Sequence, residues 1–384
     1  MNTPNCLAAL FPTGLSAPAA FYLVVYILTL VVHVVFMNYV FAGSVYLGWM
    51  GLRRVSQPSG ERHDTLPAQI IRDWLPMALS TAITAGVAPL LFVQILYQHS
   101  FYTANLLLLH RWMAIVPVLI VVFYLMYLLK SRAIDIWNPI WRAAAGLLVF
   151  CGLFFVAWSW TENHLLSVSP QSWAPMYESR QMFHITPELW PRLMIWLAGS
   201  FPTMCMLVAW QIRLAPGTDQ DGDQPSRRLG SVTVTLPSLA LGGLILAMAG
   251  LVWYARASGE PVVNTWKEPL LGSSGRLYVY AAATGMLVQV IAWLWIAVIG
   301  KLGALPLWLA TAGGLVTIVG VTVVREIVRL AHFPDLEATI ENRIGDAGTA
   351  QGFVVFVISA AAAGVAIGWC IVQGRKASAQ RVAS

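Results

Sequence analysis

The sequence predicts an all-α, polytopic transmembrane bundle of about nine helices, with its N-terminus outside and its C-terminus inside. Three observations predict it. Of the 384 residues, 58% are hydrophobic and only 10% are charged, whereas a soluble domain carries roughly 25% charged residues. So little charge cannot cover a water-facing surface. The apolar residues also fall in stretches long enough to cross about 30 Å of hydrocarbon. Finally, fourteen of the 23 basic residues fall on one side of the expected spans, the side of Arg53, Arg54, Lys130, Arg132 and Arg213. Basic loops stay cytoplasmic, which orients the chain.

The spans run approximately over 20–52, 70–98, 105–130, 139–163, 190–213, 232–256, 277–300, 303–332 and 352–374. The first follows MNTPNCLAALFPTGLSAPAA, which has no positive n-region and so does not read as a cleaved signal. In the second, Pro89 removes one backbone bond and frees the carbonyl of Ala85, so a kink is expected near Gly86. The third follows a short outer turn flanked by His99 and His110. The fourth ends in Trp158 and Trp160, residues suited to the interfacial aromatic belt. Several spans exceed twenty residues and must tilt or project beyond the lipid.

The stretch 214–231, rich in Asp, Gly, Pro and Gln, reads as a flexible inner loop. It divides a five-helix bundle (1–213) from a four-helix bundle (232–374), and residues 375–384 form a mobile tail.

Several function classes drop out. The net charge of +6 reflects cytoplasmic loops, and no basic run interleaves with aromatics as nucleic-acid binding would need. Cys6, Cys151, Cys205 and Cys370 form no CxxC or CxxCH pattern. No Walker loop, GxGxxG or HExxH occurs. Apart from Glu326 the spans hold almost no acid, which argues against a proton-driven pump.

The histidines carry the remaining signal. His99, His110, His164, His184 and His332 gather at the outer helix ends, His63 lies on the inner side, and His33 stands inside a span. An ionisable residue in lipid faces the bundle interior. Helical spacing puts Tyr22, Tyr26, Thr29 and His33 on one stripe. Imidazole ligates haem iron, and a helix can hold it towards a macrocycle. The alternative is a bond from His33 to Ser, Thr or a carbonyl of a neighbouring helix.

The eighth span ends TVVREIVRLAHF. There Arg325, Arg329 and His332 share a face, and Glu326 lies three residues before Arg329 with the spacing of a pair. Two arginines entering a membrane helix need an anion, such as haem propionates, a lipid phosphate or an acidic partner. Snorkelling to the interface, with Glu326 as local counter-ion, is the alternative. Glu162 and His164 could line a quinone or haem edge. Gln94 and Gln98 share a face that could meet a quinone carbonyl or bond the next helix.

Two runs, His33 followed by VVFMNYVFAGSVYLGW and then GVAPLLFVQILYQHSFYTAN, resemble subunit I of the cytochrome bd-type quinol oxidase superfamily over about residues 1–165. The resemblance implies that His33 ligates haem near the outer side and that Gln94 stands where the family carries a glutamate. The family's Gly-Arg-Gln-Pro-Trp signature, acidic haem-site residues and long outer quinol loop are absent from this sequence. What it implies is therefore a divergent oxidoreductase subunit without an intact oxygen-reducing centre.

The expectation that follows is a subunit of a respiratory electron-transfer complex in the bacterial cytoplasmic (inner) membrane. Haem b is expected on ligands drawn from His33, His99 and His110. His164, His332, Arg325, Arg329 and Gln94 would surround haem b or a quinone. The expected partners are the lipid bilayer, other membrane subunits and a c-type cytochrome on the outer side, with no nucleic acid. A haem-free quinol-binding anchor and a transporter or structural subunit are the alternatives.

Overall fold

The computed structural model describes residues 17–56, 65–131, 134, 137–214, 224–258, 272–330 and 332, together with the isolated positions 358, 361, 362, 365 and 369. Every regular element among them is helical, in the order α1 (Ala17–Val55), α2 (Leu66–Leu96), α3 (Gln98–Leu107), α4 (Leu109–Lys130), α5 (Pro139–Ser167), a 3-10 turn (Pro170–Ser172), α6 (Trp173–Ser179), α7 (Leu189–Leu214), α8 (Gln224–Ala257), α9 (Gly272–Ile299) and α10 (Ala304–Leu330). Eight of these helices are long and apolar enough to cross a membrane. The chain is an integral, multi-pass, all-α membrane protein, as its composition predicts.

The eight spans coincide with the first eight read from the sequence. The ninth, at 352–374, falls outside the described residues except for five isolated helical positions, and the tail, His63, Cys6 and Cys370 lie outside them altogether. Residues 215–223 of the expected inner loop are likewise outside, while α8 already begins at Gln224. The turn flanked by His99 and His110 is itself helical. A break at Tyr97 separates α2 from α3, and another at Leu108 separates α3 from α4.

Helix starts follow local chemistry. Thr65 caps α2 by accepting from the amide of Ala68, with Pro67 in the first turn. Asn138 caps α5 through Ile140, followed by Pro139. The two interior prolines of α2, Pro76 and Pro89, lie inside a continuous helix.

Between helices in lipid, close packing and polar bonds hold what the hydrophobic effect cannot. The α9–α10 crossing is close. A methyl built on Gly285 would lie 2.6 Å from the carbonyl oxygen of Gly313, and one on Gly313 would lie 2.7 Å from that of Gly285. On α1, a methyl at Gly51 would lie 3.0 Å from the Cα of Ala143 on α5. Interhelical bonds add to this. Asn38 donates to Thr203 (3.2 Å), Tyr39 to Gln211 (3.1 Å), Trp210 to Thr311 (2.9 Å) and Gln289 to Thr317 (3.1 Å).

The spans alternate in direction, giving one end marked by Arg54, Arg72 and Arg142 and another marked by His99, His164 and His332. Four buried clusters follow from this, two of them small and built on Leu165 and Leu166 of α5. Of the two main ones, the larger fills the arginine-end half, around Tyr39, Ile71, Met126, Met204, Leu236 and Trp293. The smaller sits at the histidine end, around Tyr26, Phe92, Tyr97, Phe101 and Ile327.

Candidate functional site in the histidine-end half

Between the two main clusters lies the level of His33. No residue of α1 from Leu28 to Met37 is buried, although the same helix is buried at Tyr26 and Ile27 above and from Asn38 to Ser44 below. Ten consecutive positions cover every face of a helix at 3.6 residues per turn. Residues 154–158 of α5 and 194–197 of α7 are also only partly covered. The packed interior is therefore interrupted here, in a part of the bundle where α1 neighbours α2, α5, α7 and α10.

His33 opens onto this band. Its Nδ1 lies 2.8 Å from the carbonyl oxygen of Ala82 on α2. A carbonyl only accepts, so Nδ1 carries the proton and Nε2 keeps its lone pair. Among the described residues Nε2 has no hydrogen-bond partner. Gly86 makes room for the ring, since a methyl there would lie 2.9 Å from both Cε1 and Nδ1. The bond to a neighbouring helix, weighed from sequence against a ligand role, is thus present, and it leaves the second ring nitrogen available.

Two turns towards the histidine end, a charged cluster closes the band. Tyr26 accepts a hydrogen bond from Arg325 at 2.8 Å. Glu326, fully buried, accepts from the hydroxyl of Tyr97 and pairs with Arg325 at 3.4 Å. Arg329 is 4% exposed, and its guanidinium carbon lies 3.6 Å from the centre of the Tyr97 ring. Spacing alone pairs Glu326 with Arg329. Instead the carboxylate turns to Tyr97 and Arg325, because α2 ends against this face of α10 and supplies a hydroxyl. The Nε atoms of Arg325 and Arg329 are buried with no hydrogen-bond partner, while 24% of the Arg325 side chain is exposed.

Arg192, near the start of α7, donates to the hydroxyl of Tyr254 on α8 at 2.6 Å. His164 lies within electrostatic range of Arg192, Arg325, Arg329 and His332. His332 is exposed, and its Nδ1 bonds the carbonyl of Val328 at 2.8 Å. Two guanidiniums, of Arg325 and Arg329, thus stand beside one carboxylate among the described residues.

A second ion pair lies nearby. Arg111 of α4 binds Glu162 of α5, whose other oxygen accepts the amide of His184 at 2.6 Å. Trp158 and Phe183 flank the guanidinium at 4.8 and 5.2 Å. Glu162 is fully buried, making it a second intramembrane acid beside Glu326. The segment before α7 is tied down by this contact. Burial pushes the His184 imidazole below its usual value, with Glu188 opposing the shift.

The remaining sequence candidates are peripheral. His99 is exposed, with its ring 5.5 Å from that of Trp173, and His110 is exposed on α4. Gln94 is partly buried. Among the described residues no three His, Cys, Asp or Glu side chains converge as metal ligands. Sequence reading missed Tyr97, Arg192 and Tyr254. Only Arg192 carried a signal, as a basic residue at the start of a span.

Comparison with models of known families, with curated proteins and with solved structures returns no match.

Proposed function

We propose that this integral membrane protein is a subunit of a respiratory electron-transfer complex, binding b-type haem at the His33 level and passing electrons between quinol and a cytochrome partner. The observation that carries the reading is the orientation of His33. Histidines that ligate metals almost always donate their other ring N–H to a carbonyl, carboxylate or water. His33 does so to Ala82, with Nε2 left over in an unpacked band. The residues fit such a group in two further ways. Gly86 gives the ring its place, and Arg325 and Arg329 offer buried donors for propionates.

Bound haem would supply one-electron redox chemistry. The chain's part is to hold and insulate. His33 would ligate, Ala82 would fix its tautomer, and the aromatics Phe92, Tyr97 and Phe101 of the smaller buried cluster would keep water from that end. His99, His110, His164, His332 and Gln94 lie towards the same end, which the basic-residue bias makes the outer side of a bacterial inner membrane. A c-type cytochrome would dock there. The resemblance to the bd-type superfamily supports this reading.

The test is a reduced-minus-oxidised spectrum with pyridine haemochrome quantification on purified wild type and His33→Ala. A b-type α-band in wild type, lost or shifted in the variant, is expected. A colourless wild type expressed with ample haem rejects the haem. A second reading then remains, a haem-free quinol anchor, favoured by Gln94, whose amide has no hydrogen bond among the described residues and which precedes Tyr97 by less than one helical turn. Quinone analogues would bind that colourless protein.

A further inference from the structure

We propose that Arg325 and Arg329 together form a binding site for an oxyanion group. The inference stands on the charges of the cluster and does not depend on the haem reading.

Each cation is accounted for differently. Arg325 shares Glu326 and the hydroxyl of Tyr26. Arg329 has the π face of Tyr97 and no hydrogen bond or ion pair among the described residues. Arginine does not deprotonate in proteins. With Glu326 as the one carboxylate beside them among the described residues, Arg325 and Arg329 therefore hold one positive charge more than negative.

An aromatic face is not a substitute for a counter-ion. A desolvated cation–π contact contributes about 2 kcal/mol, whereas the effective penalty for burying an ion is several kcal/mol. Arg329, nine-tenths buried and more, is left with a deficit that an anion would remove. Guanidiniums present paired N–H donors matched to carboxylate and phosphate oxygens. His164, whose ring has no hydrogen bond among the described residues, could donate to the same ligand. Tyr97 is oriented by Glu326, so the ring under Arg329 is fixed before any ligand arrives.

Two sources share this chemistry: a phosphate, free or as a monoester lipid headgroup, and the paired carboxylates of a bound tetrapyrrole. The experiment uses the full-length protein in detergent, with inorganic phosphate as the probe. Equilibrium dialysis with labelled phosphate and haem quantification are run on wild type, Arg329→Gln and Arg329→Lys. Circular dichroism and size-exclusion profiles confirm that each variant is folded.

Saturable phosphate binding by wild type, weakened about tenfold or more in Arg329→Gln and largely kept in Arg329→Lys, is the expected result for a phosphate source. If wild type carries haem, binds phosphate only after haem removal, and loses haem on Arg329→Gln, the carboxylates are the source. A colourless protein that binds phosphate leaves this site standing and rejects the haem. Absence of saturable binding in haem-free wild type, or equal binding in all folded variants, overturns the proposal.

Discussion

Replacing Gly86 with alanine tests whether the His33 ring occupies the place described for it. The new methyl would lie 2.9 Å from two ring atoms, inside any ordinary contact distance. The ring is held by its bond to Ala82, on the same helix, and so cannot retreat without giving up that bond. Overpacking typically costs about 1–3 kcal/mol, and an interhelical hydrogen bond in a membrane protein is worth about 0.6 kcal/mol on average. Against this, alanine is better than glycine in a helix by about 1 kcal/mol. In wild type, Gly86→Ala should therefore destabilise by about 1–2 kcal/mol, the net of these terms. In a His33→Ala background the clash and the bond are both gone. There the same substitution should stabilise by about 1 kcal/mol. The sign reverses. The assay is equilibrium unfolding in mixed micelles for the four proteins of the cycle, giving a coupling energy of about 2–3 kcal/mol. An equal effect of Gly86→Ala in both backgrounds would refute the placement of the ring.

Two other substitutions test the packing and the second ion pair. Gly313→Ala should separate α9 from α10, because its methyl would meet the Gly285 carbonyl oxygen at 2.7 Å, and a backbone cannot swing aside as a side chain can. A loss of about 2–3 kcal/mol is expected, while Gly199→Ala, with nothing within 4 Å, should be neutral or gain up to about 1 kcal/mol. Thermal melting in detergent compares them, and equal effects would contradict the crossing. Glu162→Gln leaves Arg111 with a neutral partner among aromatic rings and should cost about 3–5 kcal/mol, as breaking a buried pair usually does. Limited proteolysis should then cut the segment around His184 faster than in wild type. Unchanged melting and cleavage would show that the pair is not holding that segment.

The spans were legible because length and lack of charge alone define them. Eight of the nine read from sequence are helices of the described chain, with ends shifted by a few residues. The breaks at Tyr97 and Leu108 were not legible. No glycine or proline stands between Leu90 and Leu109 to announce them, so the run reads as apolar helix and turn. His33 stood out as a lone imidazole in an apolar helix. Its partner did not, since a backbone carbonyl has no residue type to betray it. Arg325 and Arg329 were visible from their spacing, and so was the need for an anion. The partner of Glu326 was hidden because Tyr97 lies 229 residues earlier in the chain. Local spacing favours Arg329, and only the packing of α2 on α10 decides otherwise. Arg192 and Tyr254 meet across α7 and α8 for the same reason.

The interruption along Leu28–Met37 bears on how the molecule comes apart. The two main buried clusters are joined through this level by α1 side chains none of which is fully covered. Regions of low packing density are where local opening begins. The two ends should therefore open as separate cooperative units, the histidine end first because its cluster is smaller. An occupant that bridges α1 to its neighbours would act as a keystone, merging the two transitions into one. Assembly would then have an order: the membrane bundle forms around a gap, and its halves become a single body only when the gap is filled.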